Sequence, residues 1–213
     1  MKTVDTITHR GYTINVYPDS DPYDPRAEWD NLGTMVCFHK RHTLGDKTDY
    51  QSDQFNSWGE LRAELAKRAA IILPLYMYDH SGITISTSPF SCLWDSGQIG
   101  YIYVDKETLR KEYSVRRISA KTLRLAKRVL LSEVTTYNQY LRGEVYGYTI
   151  DGLDESCWGF YGDPKEHMIP ECKSLIDSHI AHERKKHFKQ LKAWIANHVT
   201  LDTRVPLANN LTC

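Results

Sequence analysis

The sequence predicts an α+β fold: a mainly antiparallel sheet of about five to six strands with helices packed mostly on one face. Three observations point there. Short segments around 9–17, 82–87 and 99–104 are rich in β-branched and aromatic residues and bounded by glycine, as strands are. Two longer segments, 119–141 and 171–199, place apolar residues every three or four positions, as helices do. The two kinds do not alternate strictly, so a parallel βαβ sheet is not expected.

Taken in order, His9 to Tyr17 alternates around Tyr12, Ile14 and Val16 and reads as a half-buried strand. Pro18 to Asn31 is an acidic loop, and Gly33 to His39 a second strand followed by a turn at Leu44-Gly45-Asp46. Ser57 and Glu60 have capping-box spacing, and Trp58, Leu61, Leu65, Ala69 and Ile72 continue behind them as a helix that Pro74 ends or kinks. Strands follow at Gly82–Thr87 and Ile99–Val104, and Asp105 opens a short helix to Tyr113. Ser119 to Leu141 is the clearest helix, stopped by Gly143. Glu144–Ile150 and Ser156–Tyr161 form a hairpin around Asp151-Gly152. Asp163-Pro164 begins a last helical region, which Pro170 can split, running to Val199. A single domain over 1–200 with a flexible tail, 201–213, is the expected organisation.

Composition narrows the function. Lys plus Arg and Asp plus Glu both number 27, a net charge of zero. That disfavours a whole-molecule DNA mimic and a simple DNA coat protein alike. The five cysteines form no Cys-x-x-Cys pair, and no apolar run approaches a membrane span. Free thiols, a cytoplasmic location and no membrane partner are expected. Charge is nonetheless segregated. Residues 1–60 hold 6 basic and 10 acidic side chains, residues 105–142 hold 10 and 4, and residues 143–164 hold 0 and 5.

The segment from Leu73 to Val104 concentrates polar chemistry beside strand ends: Asp79, His80, Cys92, Trp94, Asp95 and Gln98. Asp79-His80 followed by Ser81 suggests a general base, yet neighbours in a strand face opposite ways, and no G-x-S-x-G elbow or phosphate loop is present. The acids from Asp19 to Asp30 mimic part of an EF-hand but lack its glycine at the sixth position. Cys37 and His39 share a strand face, which is half of a zinc site at most. His182-Glu183 with His187 misses the H-E-x-x-H spacing by one residue and reads as a solvated stripe with His179. Ser91–Asp95 and Ser156–Gly159 echo each other and are expected to lie close together. No catalytic residue, metal ligand or cofactor is assigned.

Two contact surfaces are expected instead. One is a basic patch of Arg117, Lys121, Arg124 and Arg128, stepping by four, three and four along a helix, with Lys127 beside it. The other is a polar-aromatic rim in which Asp24, Arg26, Asp30, His39, Arg41, His80, Trp94, Asp95, Trp158 and Asp163 converge.

The runs DPRAEWDNLGTMVCFHKRHTLGD (Asp24 to Asp46), YDHSGITISTSPFSCLWDSGQIGYIYV (Tyr78 to Val104) and SCWGFYGD (Ser156 to Asp163) resemble segments of an uncharacterised family of phage, prophage and plasmid-borne genes. The resemblance implies a mobile-element origin and carries over no site residue. The expected function is that of a phage or mobile-element accessory protein. It would bind, without catalysis, a host or phage protein complex, such as a restriction or CRISPR defence complex, or nucleic acid. The alternatives are a metal-assisted hydrolase or nuclease built on the Asp/His cluster, and a structural or virion protein.

Overall fold

The computed structural model describes residues 2–92 and 94–200, so the expected tail lies outside the described residues. The fold is α+β with antiparallel strands, but the strands form two four-stranded sheets rather than one. In the first, the order is β1 (Asp5–His9), β2 (Tyr12–Pro18), β7 (Val145–Asp151) and β8 (Glu155–Tyr161). In the second it is β3 (Thr34–Cys37), β6 (Ser96–Asp105), β4 (Ala69–Asp79) and β5 (Ile83–Ser86). The helices are α1 (Trp58–Ala66), α2 (Lys106–Glu112), α3 (Ala120–Leu141) and α4 (Met168–His198).

Two local choices account for the extra sheet. The segment read as one strand from His9 is the second arm of a hairpin. Arg10 and Gly11 both take positive φ (47° and 87°), which a two-residue hairpin loop requires. β1 then alternates into β2, with Asp5 opposite Val16 and His9 opposite Tyr12. The helix expected to reach Ile72 stops at Ala66, and the chain turns into β4 at Ala69. Ala69 and Ile72 fit the helical spacing, but Ile71 and Ile72 are β-branched and the apolar run to Leu75 is long enough to fill a strand between neighbours. Pro74 sits inside that strand, opposite Tyr101. β5 covers β4 only from Tyr76 to Asp79, so at Pro74 the strand has a neighbour on one side only, where proline is tolerated.

Each sheet buries its own core. α4 lays Met168, Ile169, Cys172 and Ile176 against Ile14, Val16, Tyr148 and Ile150 of the first sheet. α3 and α2 cover one face of the second sheet, where Ala126, Leu130, Val134 and Leu109 meet Met35, Leu75, Met77 and Ile102. α1 covers the opposite face, with Leu61 and Leu65 against Val36, Tyr101 and Tyr103. The helices therefore lie on both faces of this sheet, not on one. The alternation along β6 dictates this: Ile102 and Val104 point to one core, Tyr101 and Tyr103 to the other. Fully burying each such side chain stabilises the fold by roughly 1.5–3 kcal/mol.

Two helix N-termini carry the caps their serines signal, whereas α4 begins at Met168 with His167 before it rather than at Asp163-Pro164. Ser57 accepts from the Glu60 backbone N–H at 3.3 Å, although the Glu60 carboxylate takes the Asn56 N–H at 2.8 Å rather than that of Ser57. Ser119 accepts from the Thr122 N–H at 3.1 Å. Pro170 lies in the first turn of α4, where no intrahelical donor is lost, so it does not split the helix.

One buried ion network ties the acidic loop to the second sheet. The Arg26 side chain is 2 % exposed. Its Nε and Nη2 donate to Asp46 at 2.7 and 2.5 Å, its Nη1 to Glu133 at 3.0 Å, and its Nη2 also to the Gly33 carbonyl at 2.6 Å. Glu133 on α3 accepts from the Leu32 N–H at 2.8 Å, and Asp46 accepts from the Met35 N–H at 2.9 Å. Burial pushes the Glu133 carboxyl above its ordinary value, outweighing the N–H donors and the guanidinium that favour its charge. Arg26 was expected on a contact rim; it is instead an interior clamp. Arg26→Ala, which strands two mostly buried carboxylates, is expected to cost about 3–5 kcal/mol, read as a drop in the urea midpoint at unchanged slope. A loss below about 1 kcal/mol would show that the network does not hold the loop.

Candidate interaction surfaces

The expected rim divides into two groups of residues. The first gathers at the end of the second sheet, where β3 leaves, β4 turns into β5 and β6 begins. Arg41 Nη2 donates to Asp79 Oδ2 at 2.6 Å, and His42 Nε2 lies 3.2 Å from the same oxygen. His39 stacks on His42 with ring centres 5.1 Å apart. His80 Nδ1 is 3.3 Å from Asp95 Oδ2, while the Asp79 N–H donates to the Asp95 carbonyl at 2.9 Å. Ser81 (φ 58°) and Gly82 (φ 145°) make the turn that turns His80 away from Asp79. Asp79 therefore serves Arg41 and His42, and a different carboxylate serves His80. Trp94 stands 97 % exposed at this end. His39, Arg41, His80, Trp94 and Asp95 thus share one neighbourhood, joined by His42, which no motif or spacing marks in the sequence.

The second group lies around the first sheet and the acidic loop. Trp158 packs over Gly147, where an added Cβ would come within 2.2 Å of the indole, and its ring lies 6.1 Å from that of Tyr17. Asp19 accepts from the Gly159 N–H at 3.2 Å. The Tyr161 hydroxyl donates to the Tyr23 carbonyl, and its ring meets Trp29 edge-on at 5.0 Å. Burial, then the charges of Asp19 and Asp24 among others, pushes the Tyr161 hydroxyl up to about 12. Asp24 caps the Arg26 N–H at 2.8 Å, Asp30 is exposed, and Asp163 caps the Lys165 N–H at 2.9 Å. Trp158 and Asp24 therefore belong to this acidic-aromatic face and not to the histidine end, and Asp163 lies in the turn between β8 and α4. The two Cys-Trp echoes lie apart, one in β8 of the first sheet and the other just before β6 of the second. Spatial pairing across sheets leaves no local signal in the chain, which is why a single rim was expected.

The basic patch is placed as the periodicity implied. Lys121, Arg124 and Arg128 lie exposed on α3, with Arg117 just before its first turn, opposite the buried Thr122, Ala126, Leu130 and Val134. Arg116 and Lys127 extend it. Among the described residues none of these six cations forms an ion pair.

Reactive chemistry is muted at these surfaces. Burial, then the Asp46 charge, pushes the Cys37 thiol up to about 12, so no thiolate forms near neutral pH. Cys37, Cys92, Cys157 and Cys172 are free. Among the described residues no three His, Cys, Asp or Glu side chains gather closely enough to hold a metal ion. A cleft of about 570 Å³ opens beside the histidine end, lined by His39, His42, Asp46 and Tyr50. Among the described residues no helix is long and apolar enough to cross a membrane.

His39 offers a titration test. Burial, then the charges of His42 and Arg41, lowers its pKa below 6.5, with Asp79 opposing. A depressed histidine leaves the fold unpenalised above the unfolded-state value, and stability falls as the pH drops from there through the lower folded-state value. In an NMR titration His39 is expected to protonate below the ordinary value, and His42→Ala to move its midpoint upward. A midpoint at or above the ordinary value in the native protein would contradict the stacked, cation-flanked geometry. Comparison with protein-family models, curated proteins and solved structures finds no match to this chain.

Proposed function

We propose that this protein is a phage or mobile-element accessory protein that acts by binding, without catalysis, and that its docking surface is the basic face of α3. The observation that carries the reading is the row of Arg117, Lys121, Arg124 and Arg128, exposed on one face with no carboxylate partner among the described residues. Glu133, the one acid on α3, is turned inward to Arg26. Cations left unneutralised on a rigid helix favour a polyanion, because binding releases its condensed counterions. The chosen partner is nucleic acid, free or carried by a host-defence complex such as a restriction or CRISPR assembly. The mobile-element origin rests on the resemblance of the segments at 24–46, 78–104 and 156–163. Metal-assisted hydrolysis, the alternative, needs a convergent donor set; the Asp/His pairs at the sheet end are instead satisfied by Arg41 and by one another.

Titrating a labelled duplex by fluorescence anisotropy tests this reading. Four phosphate contacts predict a slope of log Kobs against log salt of about −3.6. Arg124→Ala with Arg128→Ala is expected to flatten it by roughly 2. Absent binding at low salt, or binding indifferent to salt, would reject the basic face as a nucleic-acid surface.

A further inference from the structure

Two other surfaces carry opposite, uncompensated charge. α4 runs for 31 residues, yet only its beginning is buried against the first sheet. From residue 181 to residue 194 every position is exposed. The stretch from 181 to 198 extends about 27 Å at helical rise. It carries Arg184, Lys185, Lys186, Lys189 and Lys192 against the single acid Glu183, a balance of +4. Lys186 pairs with Glu183 at 3.5 Å, whereas Lys185, Lys189 and Lys192 form a stripe with no ion pair among the described residues. Beside that stripe run Phe188, Leu191 and Ile195, with Trp194 next to them. Phe188 is 50 % and Trp194 55 % exposed. An overhanging helix that is basic along one side and apolar along the next is built to lie against something acidic and apolar.

The same chain presents such a surface. On the acidic-aromatic face, Trp29 and Trp158 are 45 % and 39 % exposed. Asp21, Glu28 and Asp30 lie exposed on the same loop as Trp29, without an ion pair among the described residues. Charges on one neutral chain that are balanced in total but segregated onto two unpartnered surfaces are complementary between copies. A flat anionic membrane would match the lysine stripe but leave the acidic-aromatic face uncovered, whereas a second copy of the chain covers both surfaces at once. We infer that two copies of this chain associate reciprocally, the overhanging half of α4 of each lying on the acidic-aromatic face of the other. Counted as strips the length and width of the overhang, the reciprocal contacts cover roughly 1,100 Å², at the low end for specific association. The dimer is therefore weak, forming at micromolar concentration and weakening with salt.

Sedimentation equilibrium of the full chain, with two charge-reversal variants, tests the inference. The helix variant is Lys185→Glu, Lys189→Glu, Lys192→Glu; the face variant is Asp21→Lys, Glu28→Lys, Asp30→Lys. All six side chains are exposed, so each variant should keep the native circular dichroism and melting temperature. The wild type is expected to dimerise, and each variant alone to lose roughly 100-fold in association because like charges then face one another. An equimolar mixture of the two variants should dimerise again, since acidic helix meets basic face and basic helix meets acidic face. A wild type that stays monomeric, including one whose α4 is covered by residues 201–213 or kept for a foreign partner, would overturn the inference. So would a dimer untouched by either variant, or variants that remain monomeric when mixed.

Discussion

The clamp around Arg26 is the constraint on which the second sheet and its surroundings depend. One guanidinium holds three pieces of chain that are remote in sequence: the turn at Asp46, the backbone at Gly33 and Glu133 on α3. Both carboxylates in turn accept backbone N–H groups at the start of β3. A buried pair of this kind is weak as a source of net stability, because desolvation offsets most of its attraction. Its value is positional. The loop from Asp19 to Asn31 has no strand of its own: Asp19, Tyr23 and Trp29 tie one side of it to β8, and the clamp fixes the other side to the second sheet and α3. Replacing the partners together by apolar groups would alter stability less than removing one of them.

With the loop fixed, each surface takes its character from one neighbouring element. The acidic loop meets β8 through Tyr161, so its carboxylates crowd around phenols and an indole. The histidine end arises where three strand ends of the second sheet meet, and there Arg41 and His42 meet Asp79 while His80 meets Asp95. The basic face of α3 finds no such partners, because its one carboxylate is committed to the clamp. Inward pairing of Glu133 and outward exposure of Arg124 and Arg128 are thus two consequences of one helix orientation.

Separation of charge gives the molecule a polarity that its net charge conceals. The acidic loop and β7–β8 hairpin, the basic α3 face and the basic overhang of α4 are rigidly placed on different elements. Such an arrangement steers encounters by orientation and loses its effect beyond about 10 Å in ordinary salt. Contacts through it would accordingly be short-ranged and selective for how a partner is presented.

Local physics alone determined much of this protein. The helices at 120–141 and 106–112, the hairpin of β7 and β8, the Ser57 and Ser119 caps and the basic stripe were all legible, because each depends on periodicity or on groups a few residues apart. The Arg10-Gly11 hairpin also has a local signal, an x-Gly pair after Thr-Ile-Thr, but the alternation from His9 to Tyr17 fits a single strand equally well. Tertiary structure decided the rest. Whether Ala69 to Ile72 continues a helix or begins a strand turns on the β6 partner waiting beside it. That β2 pairs with β7, splitting the strands into two sheets, is a contact between residues more than a hundred positions apart. That Arg26 is interior, and that His80 and Trp158 belong to different surfaces, follows from those pairings. Sequence spacing fixes which side of an element a residue occupies; only the packed fold fixes which other element that side meets.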